Sequence, residues 1–315
     1  MDGSSFLGLP FAPVSLESHS KIKTHLERNP SPIAGYTFAS MVAWAENYNF
    51  HWAFFNPDCL LIARPYQNGN NQEWHLLQPI GQLPDNFFPW LFSKAERLPY
   101  PLEILSCSAD FLEKITPYTA HFEIEEDRAG ANYIYLASDL ATLASSKYSK
   151  KRNLVAQFLK LYPNWEATPI SKECNAHCLE ILMSMASADG IPSNDPSLAA
   201  ELRALEFTLK HFNELDQAGV AIRIDGQPVA FSIFERQSSE MAVVHFEKAD
   251  RKYKGLYQII NRETSKQIQS LNYTLINREE DVGDDGLRQA KLSYAPVELT
   301  SVFNLLLKQC NKLPC

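Results

Sequence analysis

The sequence contains no run approaching the ~20 consecutive apolar residues of a membrane-spanning helix, and it has no excess of positive charge, its formal net charge being −8. The first absence predicts a chain without a transmembrane segment. The second argues against general coating of nucleic acid, which rests on many phosphate contacts from Lys and Arg, although local basic patches could still serve. The opening MDGSSFLGLPFAPVSLES has no basic stretch ahead of an apolar segment, so no secretory signal is expected. Cys59, Cys107, Cys174, Cys178, Cys310 and Cys315 lack the regular spacing of a disulfide framework and read as free thiols of a cytoplasmic protein. Cys174, His177 and Cys178 could in principle share a metal. However, Cys174, Cys178, Ile181, Leu182 and Met185 recur on one helical face, and a structural zinc site needs about four ligands, so a buried apolar face is expected and no metal.

What the chain does have is apolar residues enough for a sizeable core, 45% of 315, and a length suited to one large or two ordinary domains. After Pro30-Ser-Pro32 a helix is predicted from Tyr36 to Tyr48. Strands follow at His51–Phe55, Leu60–Arg64 and Glu73–Gln78, then a helix at Pro84–Arg97 and a strand at Leu102–Ser106. The later part reads as a strand at Trp165–Pro169 and helices at Glu173–Ala188 and Leu198–Asn213. A hairpin, Val220–Ile224 with Pro228–Phe234, then turns at Asp225-Gly226. Leu60–Ser106 and Val229–Arg278 share the order strand, polar turn, strand, helix, strand at an offset of roughly 170 residues, which predicts an internal duplication. The mixture of strands and helices predicts an α/β (mixed α+β) sheet fold.

The second copy carries the densest chemistry. Met241–Phe246 reads as a strand that sets His245 and Glu247 on one face. The loop Asp250-Arg-Lys-Tyr-Lys-Gly255 then enters a helix, and a basic glycine-bearing loop before a helix can cradle phosphate, since the first helical amides lack internal partners. Lys252, Lys254 and Gly255 are the candidates, although a solvated charged loop would look the same. The first copy has no such charge in the corresponding Pro79–Pro84. It is therefore assigned to support or acceptor binding. Between the copies, Lys147, Lys150, Lys151 and Arg152 place four positive charges within six residues at a helix entry. A solvated linker and a phosphate contact are both open there.

Six blocks together carry a family resemblance: Ser31-Pro-Ile-Ala-Gly-Tyr-Thr-Phe38, Lys150-Lys-Arg-Asn153, His245-Phe-Glu-Lys-Ala-Asp250, Tyr253-Lys-Gly-Leu-Tyr-Gln258, Asn277-Arg-Glu-Glu-Asp281 and Gly286-Leu-Arg-Gln-Ala-Lys-Leu-Ser-Tyr294. From Ser31 to Pro296 the chain resembles the bacterial family of the C-terminal domain of phosphatidylglycerol lysyltransferase. The resemblance implies two tandem GNAT-like (acyl-CoA N-acyltransferase-like) domains, similar also to the Fem-type aminoacyl transferases. The boundaries expected are an extension at 1–29, a degenerate first domain at 30–144, a basic linker helix at 145–163 and the active domain at 164–315. The implied function is transfer of an aminoacyl group from aminoacyl-tRNA to an amine or hydroxyl acceptor, either a small molecule or a lipid headgroup. The alternatives are acyl-CoA-dependent acylation of a small amine and a non-catalytic binding module. No tightly bound cofactor is expected, and tRNA is the implied partner.

Acyl transfer needs a base, oxyanion stabilisation and a proton for the leaving group. Glu247 is the candidate base, with His245 on the same face as a second possibility, and Tyr294 the candidate proton donor; Lys291 is carried over by the resemblance as a reacting-centre lysine, whose replacement by Met is expected to spare folding. Arg278, Glu280 and Asp281, gathered after a strand, are expected to bind the acceptor with Arg288 and His245. Core packing of His245 and Tyr294 and a surface ion-pair turn at 278–281 are the plain alternatives. Lys150, Lys151 and Arg152, with Lys252, Lys254 and Gly255, are expected to hold the donor. The GNAT acetyl-CoA loop has the form Arg/Gln-x-x-Gly-x-Gly/Ala, whereas Arg251-Lys-Tyr-Lys-Gly-Leu256 has one glycine, which favours aminoacyl-tRNA over acyl-CoA.

Overall fold

The computed structural model describes residues 5–308, so Cys310 and Cys315 lie outside the described residues. The chain divides into two units, one formed by the residues up to Ala131 together with those from Thr300 onward, the other by Asn132–Leu299.

In the first unit, strands β1 (His51–Asn56), β2 (Cys59–Asn68), β3 (Asn71–Leu77), β4 (Glu103–Ser108) and β5 (Phe122–Glu126) form one sheet with the short strand Ala12–Pro13 and the C-terminal strand Val302–Leu307. The short segment Ile80–Gly81 also pairs with β2. β2 begins Cys-Leu-Leu-Ile-Ala, buried residue by residue, as a central strand covered on both faces must be. Neighbours are antiparallel except β3 and β4, which run parallel because helix α1 (Phe87–Ala95) carries the chain across between them. Phe87 and Leu91 of α1 pack on Leu61, Leu76 and Ile104.

The second unit repeats this plan. Its sheet runs in the order β7 (Trp165–Pro169), β8 (Ala218–Ile224), β9 (Gln227–Arg236), β10 (Met241–Ala249), β11 (Leu275–Asn277), β6 (Asn132–Leu136) and Glu298–Thr300. Here too one pair is parallel, β10 with β11, joined through helix α5 (Leu256–Ser270). Helices α2 (Ser149–Leu161), α3 (Asn175–Ala188), α4 (Pro196–Lys210) and α6 (Asp285–Leu292) also belong to the unit, with the short helix Ala137–Thr142. In each unit, then, antiparallel neighbours lead to one parallel pair, followed by an antiparallel strand drawn from a distant segment. That strand is Val302–Leu307 in the first unit and β6 in the second.

The unit boundaries differ from those read in the sequence. The second unit begins at Asn132 because β6 joins its sheet, and the chain returns to the first unit after Leu299. The basic linker helix expected at 145–163 falls within the second unit, where Val155 and Phe158 of α2 are buried in the core. The helix predicted over 36–48 is interrupted at Trp44, leaving Phe38–Ala43 and Ala45–Tyr48. Cys174, Cys178, Ile181, Leu182 and Met185 are all buried, as the apolar-face reading requires. Cys174 accepts a hydrogen bond from the Arg223 guanidinium at 3.2 Å.

Candidate functional site

Pairing between β10 and β11 lasts three residues, from Met241 opposite Leu275 to Val243 opposite Asn277. β11 ends there, while β10 continues to Ala249 held only by β9. The gap this leaves lies at the carboxyl end of a parallel strand pair, where α/β folds open toward ligands. Glu247 of β10 and Arg278, the residue after β11, meet across it, with Arg278 Nη2 2.6 Å from Glu247 Oε1. Asn261 of α5 donates to the other carboxylate oxygen at 3.4 Å.

Aromatic rings frame this pair. The Arg278 guanidinium lies 5.3 Å from the Tyr294 ring centre and 5.8 Å from that of Tyr135, and the ammonium of Lys151 lies 4.0 Å from Tyr294. Burial opposes the charge of Arg278, but Glu247 and the surrounding tyrosines keep its affinity for the proton above the usual value. Burial pushes the Tyr294 hydroxyl up to about 12, so it stays protonated at neutral pH. Burial also lowers Lys151, with Arg278 adding repulsion. Lys151 donates to Ser293 Oγ at 2.7 Å.

Lys291 sits behind this group. Its ammonium donates to the carbonyls of Arg278, at 2.6 Å, and of Glu280, and it lies 5.6 Å from the Tyr133 ring centre. It thereby clasps a segment in which Glu279, Val282 and Gly283 all take positive φ, a costly conformation for the first two. Burial lowers Lys291 to about 8 against the opposing pull of Glu279. Beside it, Asp281 is fully buried and takes both Arg288 Nε (2.9 Å) and Nη2 (3.0 Å), the Tyr133 hydroxyl (2.6 Å) and the Gly283 amide (3.0 Å). The Arg288 bonds hold Asp281 well below the usual carboxylate range. Asp281 and Arg288 thus serve to build the loop, and Glu280 contributes its carbonyl to the same clasp.

His245 is a packed, paired imidazole, with Nε2 2.7 Å from Glu235 and Nδ1 2.7 Å from Glu279. Burial disfavours its charge, but the two carboxylates overcome this and raise it to about 10. Since the ordinary value is about 6.5, its stabilisation is complete below pH 6.5 and is lost as pH rises through about 10. Replacing His245 with Gln should cost on the order of 3 kcal/mol at pH 6, because it strands two carboxylates. Thermal melts should show that difference shrinking toward pH 10, and a pH-independent difference would refute the ion-pair reading.

The expected donor residues do not gather as one cluster. Lys150 and Lys254 are exposed, and Lys252 pairs with Asp250 at 2.7 Å. Arg152 turns back onto the carbonyls of Leu143 and Ser145 (2.6 Å for the latter). Gly255 has φ +84, and a Cβ there would come within 2.4 Å of the Leu154 carbonyl of α2, so glycine is required for helix packing rather than for room at a phosphate. At the head of α5, Leu256 and Gln258 already donate their amides to Tyr253 (3.2 Å) and Gly255 (3.1 Å). Tyr135, Tyr133, Glu279 and Asn261 escaped the sequence reading, although the alternation in Asn132-Tyr-Ile-Tyr-Leu136 signals the strand that carries the two tyrosines.

An antiparallel sheet opened by one parallel pair around a crossover helix, present twice, is the mixed α/β architecture expected from the sequence. The family model "Phosphatidylglycerol lysyltransferase, C-terminal" matches residues 28–305, and the chain belongs to that family. A solved structure of a conserved protein of unknown function from Bacteroides thetaiotaomicron is 30% identical, with a TM-score of 0.86 over 95% of this chain and all of the other. FemX shares the fold at 8% identity and a TM-score of 0.64, with 92% of this chain and 96% of that one covered. An uncharacterised protein of Mycoplasmoides gallisepticum is 26% identical over 170 residues, 53% of each chain, so the match spans about half the length of that curated relative.

Proposed function

We propose that the protein is an aminoacyl transferase that moves an aminoacyl group from aminoacyl-tRNA to an amine or hydroxyl acceptor, with the gap between β10 and β11 as its reaction site. The observation that carries this is the partly buried Glu247–Arg278 pair at the end of the splayed strands, with Tyr294 and Lys151 beside it. The acceptor's nitrogen or oxygen attacks the ester carbonyl and gives its proton to Glu247, directly or through water. A guanidinium has five N–H donors, so Arg278 has hydrogens beyond the one given to Glu247 with which to stabilise the oxyanion. The bond from the carbonyl carbon to the ribose oxygen then breaks, and that oxygen takes the proton of Tyr294. Lys291 is a positioning residue in this scheme, holding the loop that begins at Arg278. Lys150, Lys151, Lys252 and Lys254 supply the positive charge for the tRNA phosphates.

Family membership supports aminoacyl-tRNA as donor, and the head of α5 speaks against a coenzyme A pyrophosphate, because two of its first amides are already used. We infer a cytoplasmic location; no helix among the described residues is long and apolar enough to cross a membrane. Purified protein incubated separately with charged tRNA and with acyl-CoA, with products read by mass spectrometry, tests the proposal. Transfer from charged tRNA alone is expected; turnover only with acyl-CoA would overturn the donor assignment. Tyr294→Phe should lower single-turnover transfer by about 100-fold, the lower end for general acid catalysis, with an unchanged melting temperature. Full activity of that variant would remove Tyr294 from the mechanism.

A further inference from the structure

The first unit has its own opening where the second has the reaction gap. Parallel pairing of β3 with β4 stops at Leu77 opposite Leu105. Beyond it lies a cleft of about 590 Å³, lined by residues that follow those two strands and by Asn29-Pro-Ser-Pro32. Ligand pockets typically measure roughly 300–1,000 Å³, so the cleft would take a small molecule or a headgroup. Ser31 and Pro32 open a block that the sequence marks out and that the transfer reaction does not use.

The cleft is built rather than incidental. The Tyr36 hydroxyl donates to the Ser106 carbonyl at 2.9 Å and accepts from the Gln78 amide at 2.8 Å, tying the two strand ends together. Ser106 is held with φ +55, strained for a non-glycine residue, and its amide donates to Asn304 Oδ1 at 3.0 Å. Gln78 Oε1 accepts from the Ser108 amide at 2.8 Å, which fixes the plane of its side chain. On the floor, Gly81 has φ +100, and a Cβ there would strike the Asp58 carbonyl at 2.1 Å. The buried His25 ring, 3.0 Å from the Ile80 carbonyl, holds that floor from beneath.

Its chemistry selects a ligand class. The charges in the lining are Asp110 and Lys114, both exposed and one helical turn apart, so they offset each other at the surface. The remaining polar groups are neutral amides and hydroxyls such as Gln78, Gln82 and Ser108, interleaved with Pro30, Ile80 and Phe111. A phosphate would find a single exposed ammonium there, and an alkyl chain would leave the amides without partners. Hydroxyls that both donate and accept, carried on a framework with apolar C–H faces, satisfy both kinds of wall.

We propose that this cleft binds an uncharged polyhydroxyl group, a glycosyl or glycerol moiety, and so gives the first unit a ligand site of its own. The inference concerns binding and does not depend on the transfer reaction. Vicinal hydroxyls could come from a soluble sugar or from a lipid headgroup, and the test separates the two. Ligand-observed NMR on the full chain with methyl glucoside, glycerol and inorganic phosphate is paired with sedimentation onto phosphatidylglycerol and phosphatidylcholine vesicles. Saturable binding of methyl glucoside or glycerol that phosphate does not displace is expected, or binding of phosphatidylglycerol vesicles in preference to phosphatidylcholine if the source is a headgroup.

Leu83→Trp should fill the cleft and weaken binding at least tenfold with an unchanged melting temperature. Gln78→Leu should weaken it comparably by removing the fixed amide. If Gln78→Leu fails to fold, Leu83→Trp alone decides. Binding of phosphate with equal affinity, binding that Leu83→Trp leaves intact, or no binding by any probe would overturn the proposal.

Discussion

Arg278→Met should lower transfer at least ~100-fold, the scale of losing one oxyanion donor, and should also destabilise the protein by roughly 3–5 kcal/mol, the usual cost of stranding one partner of a buried ion pair. The stability loss arises because Glu247, whose carboxylate is largely shielded from water and bonded otherwise only to Asn261 of α5, loses the cation 2.6 Å away. The two effects can be separated. In the double variant Arg278→Met/Glu247→Gln no carboxylate is stranded, so most of the stability should return while transfer stays absent. A coupling energy above about 1 kcal/mol in that cycle marks a direct interaction. Denaturant titration of the four proteins, with mass-spectrometric measurement of transfer, checks both halves. If Arg278→Met is as stable as the parent, the pair is not the buried structural and catalytic unit described above; if it keeps full transfer, the oxyanion role falls.

The sheet fold was legible because its signals are local. The hairpin at Asp225-Gly226, the apolar face of α3 and the strand, helix, strand order of both copies follow from short-range periodicity. The strand that completes each sheet was not legible. β6 lies far from β11 in sequence, and Val302–Leu307 lies far from β4, so their partners depend on long-range pairing that periodicity cannot report. The basic residues show the same limit from the electrostatic side. Arg152 and Lys151 are neighbours in one positively charged run, yet Arg152 caps local carbonyls while Lys151 reaches Tyr294. Charge patterning places a cation near a site without saying which groups will claim it. Likewise His245 and Glu247 share a strand face by spacing, but partners on other segments separate their roles: Glu235 and Glu279 hold the histidine as a paired cation, while Arg278 brings the glutamate into the gap.

Lys291→Met should also lower transfer at least ~100-fold, but through the loop, and folding will not be spared as the sequence alone suggested. The ammonium is buried, and its two carbonyl bonds hold the segment in which Glu279 and Val282 adopt left-handed backbone. Methionine keeps the stem and loses both bonds, so Arg278 is no longer held against Glu247. The pH dependence of stability identifies the ammonium as the cause. Its folded value of about 8 lies below the ordinary lysine value of about 10.4. Between those limits the unfolded chain binds more protons than the folded one, so this group makes the parent more stable as pH rises from 8 to 10.4. At 1.36 kcal/mol per pKa unit the gain is on the order of 3 kcal/mol. His245 also titrates in this range, but the difference between parent and Lys291→Met curves isolates the lysine. Urea denaturation at pH 7, 8, 9 and 10 should show that difference widening in favour of the parent. A constant difference would mean that burial does not strain the ammonium, and unchanged transfer by the variant would show that the loop needs no clasp.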